Sequence, residues 1–209
     1  MAKLLSLVET FNGLTHLAGV IFALASAWAV LGPAYDLGWA WAMGATFFVV
    51  SMLIMFSMST AYHFTLPGKA KKVMRVFDHI GIYIMIAGSY TPICIGVIGG
   101  WLGWLVFGLM WACAIGGTVY KIAAIGKYPR LSLALYLIMG WSVVLIAYPV
   151  YQALSSWAIT WIVTEGVLYT AGTYFYAHDK QYSFFHPIWH IFVLLGAVAH
   201  WAAVYCMCC

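Results

Sequence analysis

The sequence predicts an all-α membrane protein: a bundle of seven transmembrane helices with the N-terminus cytoplasmic and the C-terminus outside. Three observations predict it. Of 209 residues, 66% are apolar and only 7% are charged, which is more apolar surface than a water-soluble globule of this length hides inside itself. The apolar residues fall into seven stretches, each close to the roughly 20 residues that cross a hydrocarbon core. The basic residues lie only in alternate connections between those stretches, the signature of a membrane orientation.

The first stretch covers residues 11–31. Ala25, Ser26 and Ala27 imitate a secretory cleavage site, but Glu9 and Asn12 interrupt the basic-then-apolar start of such a signal, so this helix is expected to stay. The second covers 38–62 and ends at His63. The third covers 80–97 and is opened by Asp78 and His79; Pro92 is expected to kink or end its outer part. The fourth and fifth cover 101–120 and 132–150. The sixth, 157–177, carries Glu165 near mid-depth with no basic partner in the sequence, and this side chain is expected to face the bundle interior. The seventh covers 188–206, with Pro187 suited to its first position. Strands are excluded, because the runs are too long and lack the alternation of a transmembrane barrel. Gly81, Gly88 with Ser89, Gly166 and Gly172 supply small surfaces for close helix packing. Residues 1–209 read as a single domain.

Orientation follows from Lys3, Lys69, Lys71, Lys72, Arg75, Lys121, Lys127, Arg130 and Lys180. They occupy the N-terminal tail and the connections after the second, fourth and sixth stretches. The opposite connections, 32–37, 98–100 and 151–156, contain no Lys or Arg. By the positive-inside rule the N-terminus is cytoplasmic, and the expected location is the cell inner (plasma) membrane. Trp28, Trp39, Trp41, Trp101, Trp104, Trp157, Trp161 and Trp201 gather near the expected outer ends, where an amphipathic ring suits the headgroup layer. The net charge of +4 reads as topology and contact with anionic lipid, and nucleic acid is not an expected partner. Three of the five cysteines crowd the C-terminus. Cys206, Cys208 and Cys209 read as terminal apolar residues in preference to a disulfide.

Ionisable groups in a bilayer are costly, about 2.5–3.5 kcal/mol at a helix centre on insertion scales. Here they converge. Glu9, Asn12, Thr15 and His16 enter the first helix from the cytoplasm, Ser59 and His63 end the second, Asp78 and His79 open the third, and His186 and His190 open the last. Four helices thus bring polar groups to one depth, where independent snorkelling ends would have scattered over both leaflets.

His186 and His190 are four residues apart and share a helical face, a spacing that suits two ligands of one metal. A lone H-x-x-x-H is weak; His63 at the same depth strengthens it. Three imidazoles with an open fourth position form the catalytic zinc arrangement, in which a bound water has its pKa lowered to about 7. Asp78 is placed to accept from that water, as a general base or as a group that orients it from behind the ligands. Ser59, one turn before His63, is placed to polarise a carbonyl or orient the water, with a bond back to its own helix as the bland alternative. Glu9, Asn12 and His16 share a face and read as a supporting network or as structural glue. His79 and His178 read as interfacial, and His200 as too far along the last helix to share the metal.

The chain resembles the progestin and adiponectin receptor superfamily, and more closely its bacterial hemolysin III branch. The resemblance rests on E-x-x-N-x-x-T-H at Glu9, Asn12, Thr15 and His16; on S-x-x-x-H at Ser59 and His63; on Asp78-His79-x-Gly81-Ile82 running into Ala87-Gly88-Ser89-Tyr90-Thr91-Pro92; and on His186-x-x-x-His190. It implies a seven-helix fold and a Zn2+ ion held by His63, His186 and His190, with Asp78 contacting the metal's water and Ser59 nearby. Receptor members look like lipid amide hydrolases acting on ceramides; bacterial members carry a hemolysin name and a suggested role in membrane homeostasis. The expected function is therefore a zinc-dependent hydrolase acting on a membrane lipid amide or ester near the cytoplasmic face. The alternatives are a non-enzymatic sensor or regulator of membrane state with structural zinc, and a hemolysin-type pore former.

Overall fold

A computed structural model of the chain describes residues 2–124 and 127–209, with side chains from residue 7 onward. Lys3 lies outside the residues whose side chains are described. The described residues are helical almost throughout, with no strand among them. In order the elements are α1 (Ala2–Asp36), α2 (Trp39–Phe64), α3 (Lys69–Thr91), a π-helical continuation (Pro92–Ile98), α4 (Gly100–Ala124), α5 (Pro129–Trp141), a 3-10 segment (Ser142–Ile146), α6 (Ala147–Ala153), α7 (Ser156–Ala177) and α8 (Phe185–Cys208).

Six segments are long and apolar enough to cross a bilayer: Leu7–Asp36, Trp39–Phe64, Lys69–Ile98, Gly100–Ala124, Pro129–Ala153 and Phe185–Cys208. Helix α7 is 22 residues long but carries Thr160, Thr164, Glu165, Thr170 and Thr173, which lower its hydropathy. Much of that polarity is answered internally. Thr160 and Thr164 donate to the carbonyls of Ser156 and Thr160, and Thr173 donates to that of Thr170, as hydroxyls in apolar surroundings do.

Three boundaries differ from expectation, each for a physical reason. Helix α3 starts at Lys69, so Asp78 and His79 sit more than two turns inside it and do not open it. Lys69, Lys71, Lys72 and Arg75 form a polar helical start that an apolar-run criterion passes over. At Pro92 the helix does not stop but widens into π-helical turns as far as Ile98, as a missing N–H permits. The reversal into α4 then uses Gly99 and Gly100 at φ 61° and 53°, backbone conformations natural only to glycine. The fifth stretch is broken at Ser142–Ile146, just ahead of Pro149, whose missing N–H and ring disfavour regular helix over the preceding turn. Tyr90 of α3 answers carbonyls beside this break, donating to Met139 O at 3.0 Å and Gly140 O at 2.7 Å.

Helix α1 packs between α2 and α8, α2 against α3, α3 against α4, and α7 along α8. The α2–α3 seam is close because Gly81 and Gly88 face Met55 and Ser51, while Gly172 of α7 admits Phe192 and Trp189 of α8. Gly166 faces only the edge of Trp141. Two apolar cores result. One is built on Tyr83, Ala87, Cys94, Met110 and Tyr136, the other on Phe48, Met52, Phe56, Ala197 and Val204. The outer surface is apolar as well, with Leu24, Trp28, Ile115, Ile122 and Leu145 exposed, as lipid-facing positions require. All five cysteines are free.

Candidate metal centre

Where α1, α2, α3 and α8 meet at one end, a cavity of about 440 Å³ is lined by Glu9, Asn12, His16, Ser59, His63, Asp78, His79, His186 and His190 among others. Every residue expected at the site from sequence is therefore in one place. The reason is connectivity: His63 stands in the last turn of α2, His186 in the first turn of α8, and α1 packs against both helices.

One ring nitrogen from each of His63, His186 and His190 lies within 4.8 Å of the other two. Ring centroids are 4.7 Å apart for His63–His190, 5.0 Å for His186–His190 and 5.6 Å for His63–His186. His63 and His190 are buried and His186 is half-buried.

Two of the three imidazoles are aimed by carboxylates. His63 Nδ1 is 3.2 Å from Glu9 Oε2, and His186 Nδ1 is 2.9 Å from Asp179 Oδ2. When Nδ1 carries the proton and donates, the Nε2 lone pair is left for a ligand, the arrangement that orients metal-binding histidines. His63 Nε2 is buried and has no hydrogen-bond partner, and such an atom is costly unless something accepts its lone pair. Soft-to-borderline nitrogen donors in a three-histidine set suit zinc. The residues present therefore fit the ion.

Further unmatched polar atoms face the same cavity. Asn12 Oδ1, both ring nitrogens of His16, Ser59 Oγ and His190 Nδ1 are buried without partners. Ser59 therefore does not bond back to its own helix, although Ser26 and Ser89 do. His16 lies against His190, with ring centroids 3.9 Å apart and planes tilted by 33°, and against Phe56 at 5.1 Å. Asp78 lines the cavity with its carboxylate 3.6 Å from His79 Nδ1, and no hydrogen bond ties it to the three histidines. His79, expected at the interface, is largely buried and donates to Arg75 O at 2.8 Å; the tyrosine packing around α3 covers it, with Tyr136 donating to its carbonyl. His178 is half-buried, and its Nδ1 bonds to Tyr174 O.

Residues 6–201 match the family described as Haemolysin-III related. The chain belongs to that family. Its relatives include the Hemolysin-3 homolog of Bacillus subtilis, 36% identical over 96% of this chain and 94% of the relative, and Hemolysin-3 of Bacillus cereus, 34% identical over 90% and 86%. The Monocyte to macrophage differentiation factor of Homo sapiens is 28% identical over 80% of this chain and 68% of its own length. No solved structure matches. As a hemolysin III protein the chain is an integral, multi-pass membrane protein of the wider receptor superfamily, as its motifs implied.

Two residues of this hemolysin III site were not singled out from sequence. Asp179 precedes His186 by seven residues, in the connection between α7 and α8 where no helical periodicity marks it. Lys71 of α3 pairs with Glu9 and donates to Tyr62 O at 2.8 Å and His63 O at 3.3 Å. It thus closes the C-terminus of α2 and fastens α1, α2 and α3 around His63. Their signal was charge of opposite sign at the depth of the histidines.

Proposed function

We propose that the chain is a seven-span, zinc-dependent hydrolase of the inner (plasma) membrane, acting on a lipid amide or ester near the cytoplasmic face. Helix α7 is the seventh span, and the basic connections put the N-terminus inside. The observation that carries the reading is the three-histidine cluster in a cavity that also holds Asp78 and Ser59 with unmatched polar atoms around them. A second, apolar cavity shares the walls Ile82, Trp189 and Val193 with it, which supports lateral entry of an acyl chain.

His63, His186 and His190 hold the ion, with Glu9 and Asp179 fixing the first two rings. A zinc ion so held supplies a water nucleophile at neutral pH and a Lewis acid. Asp78 takes the proton released as water adds to the carbonyl carbon and returns it to the departing amine or alcohol, leaving a carboxylic acid as the other product. Ser59 donates its hydroxyl to the carbonyl oxygen as charge builds there. Elemental analysis of purified protein, with lipid turnover compared between wild type and Asp78→Asn, tests the reading. It expects one zinc per chain in both and turnover only in wild type; protein without stoichiometric zinc, or unchanged turnover in the variant, overturns it.

A second reading takes zinc as a structural tie between α2 and α8, in a sensor of membrane state without catalysis. The derivation of the ligands from only those two helices favours it. Under it Asp78→Asn keeps function, while loss of a ligand histidine loosens the bundle. The names of the Bacillus relatives add a pore-forming reading, which dye release from liposomes by purified protein tests.

A further inference from the structure

Glu165 and His200 meet inside the bundle and have no part in the metal centre. Sequence offered Glu165 no basic partner; the fold supplies one across the α7–α8 seam. Glu165 Oε2 is 2.6 Å from His200 Nδ1, and the two side chains are 14% and 3% exposed. His200 Nε2 is buried without a partner, with the Phe48 ring packed at 4.8 Å. One turn beyond Glu165 on α7, the Tyr169 hydroxyl is also buried and unpartnered. Its ring fits because residue 196 is glycine: a Cβ there would stand 2.6 Å from the ring.

All three residues line a cavity of about 390 Å³ whose other walls are mostly apolar, Met85, Ile86, Leu137 and Ile162 among them. That volume lies within the range of small-molecule sites. The remaining inward polar groups are already paired. Tyr90 donates to Met139 O and Gly140 O, Ser89 to Met85 O, Tyr136 to His79 O, and Thr170 accepts from Trp141 Nε1. What is left over in this cavity is His200 Nε2 and the Tyr169 hydroxyl.

We propose that this cavity binds a neutral hydrocarbon-chain alcohol, its hydroxyl seated on His200 and Tyr169 and its chain along α3 and α5. The pair fixes the chemistry. The role of Nε2 follows the tautomer: with Nδ1–H donating to the Glu165 carboxylate Nε2 accepts, and with Nδ1 accepting from a Glu165 carboxyl group Nε2–H donates. A hydroxyl both donates and accepts, and answers either state. A plain hydrocarbon leaves two buried polar atoms unmatched, and a fatty-acid carboxylate meets the carboxyl group of Glu165. The site is separate from the metal: His200 is ten residues beyond His190, roughly 15 Å along α8. It requires no catalysis there.

Native mass spectrometry of the full-length chain, purified in an amine-oxide detergent that carries no hydroxyl, tests this with 1-hexadecanol, hexadecane and palmitate as probes. One equivalent of hexadecanol is expected to bind about tenfold more tightly than either other probe, the worth of about one well-made hydrogen bond. His200→Phe is expected to abolish that preference, Tyr169→Phe to reduce it, and Glu165→Gln to narrow it against palmitate alone, with zinc content unchanged. Glu165→Gln and Tyr169→Phe preserve shape and carry the test if His200→Phe fails to fold. Hexadecane or palmitate binding as tightly as hexadecanol, or an undiminished preference in the variants, overturns the proposal. Because no turnover is measured, its failure is distinct from failure of the hydrolase reading.

Discussion

Replacing Glu9 by Gln probes how the protein holds its metal ligands without touching one. The carboxylate accepts from His63 Nδ1 at 3.2 Å and from Lys71. Removing a carboxylate behind a metal-bound histidine typically lowers affinity by about 10- to 100-fold, or roughly 1.4–2.8 kcal/mol. The structure places Glu9 at the lower end. Its side chain is 40% exposed, so water replaces much of what the amide loses. Asp179 is closer to its histidine, 2.9 Å from His186 Nδ1, and 23% exposed, so Asp179→Asn is expected to cost more. Because the two imidazoles stand 5.6 Å apart and share one candidate ion, the losses are expected to couple in the double variant and not simply to add. Lys71→Met separates the helix-capping role from the ligand-orienting one and is expected to lower thermal stability with little change in zinc affinity. The assay is competitive zinc titration against a chelator in detergent. Wild-type affinity in both carboxylate variants, or a larger loss for Glu9→Gln than for Asp179→Asn, would refute the reasoning.

The helix seams give a second set of outcomes. Gly88→Ala drives a Cβ into Ser51 and Gly103→Ala drives one into the carbonyl of Cys94, each at a cost of about 1–3 kcal/mol; Gly108→Ala and Gly116→Ala meet nothing within 4 Å and should be neutral, as thermal melts of the four variants will register. Tyr90→Phe strips Met139 and Gly140 of their donor beside the broken helix, at about 1–3 kcal/mol, with faster hydrogen exchange concentrated in α5 as the readout. Stripping the metal with a chelator should lower the melting temperature, and refilling with zinc to 100 times its dissociation constant should restore about 2.7 kcal/mol.

The histidine cluster was legible in sequence because its parts are strong local signals: an i, i+4 histidine pair, a third histidine at a helix end, and polar residues that the bilayer tolerates only for cause. The carboxylates were half legible. Glu9 stood in a polar face, whereas Asp179 sat in a connection where no periodicity marks a side chain. The pairing of Glu165 with His200 was hidden, because it depends on how α7 and α8 are rotated against one another, which Gly172 and Gly196 set through the bulk they omit. The break in the fifth stretch was hidden too. Its apolar run is continuous, and only Pro149, together with the carbonyls that Tyr90 answers from another helix, makes the irregular backbone tolerable.

The ligands come from the second helix and from the last. His63 is made early in synthesis, and His186 and His190 arrive when nearly the whole chain has been threaded into the bilayer. Until then a passing ion meets one imidazole and has no reason to stay. On the zinc reading, metal binding therefore requires that α2 and α8 have docked: a chain without α8 offers an ion only one of the three imidazoles.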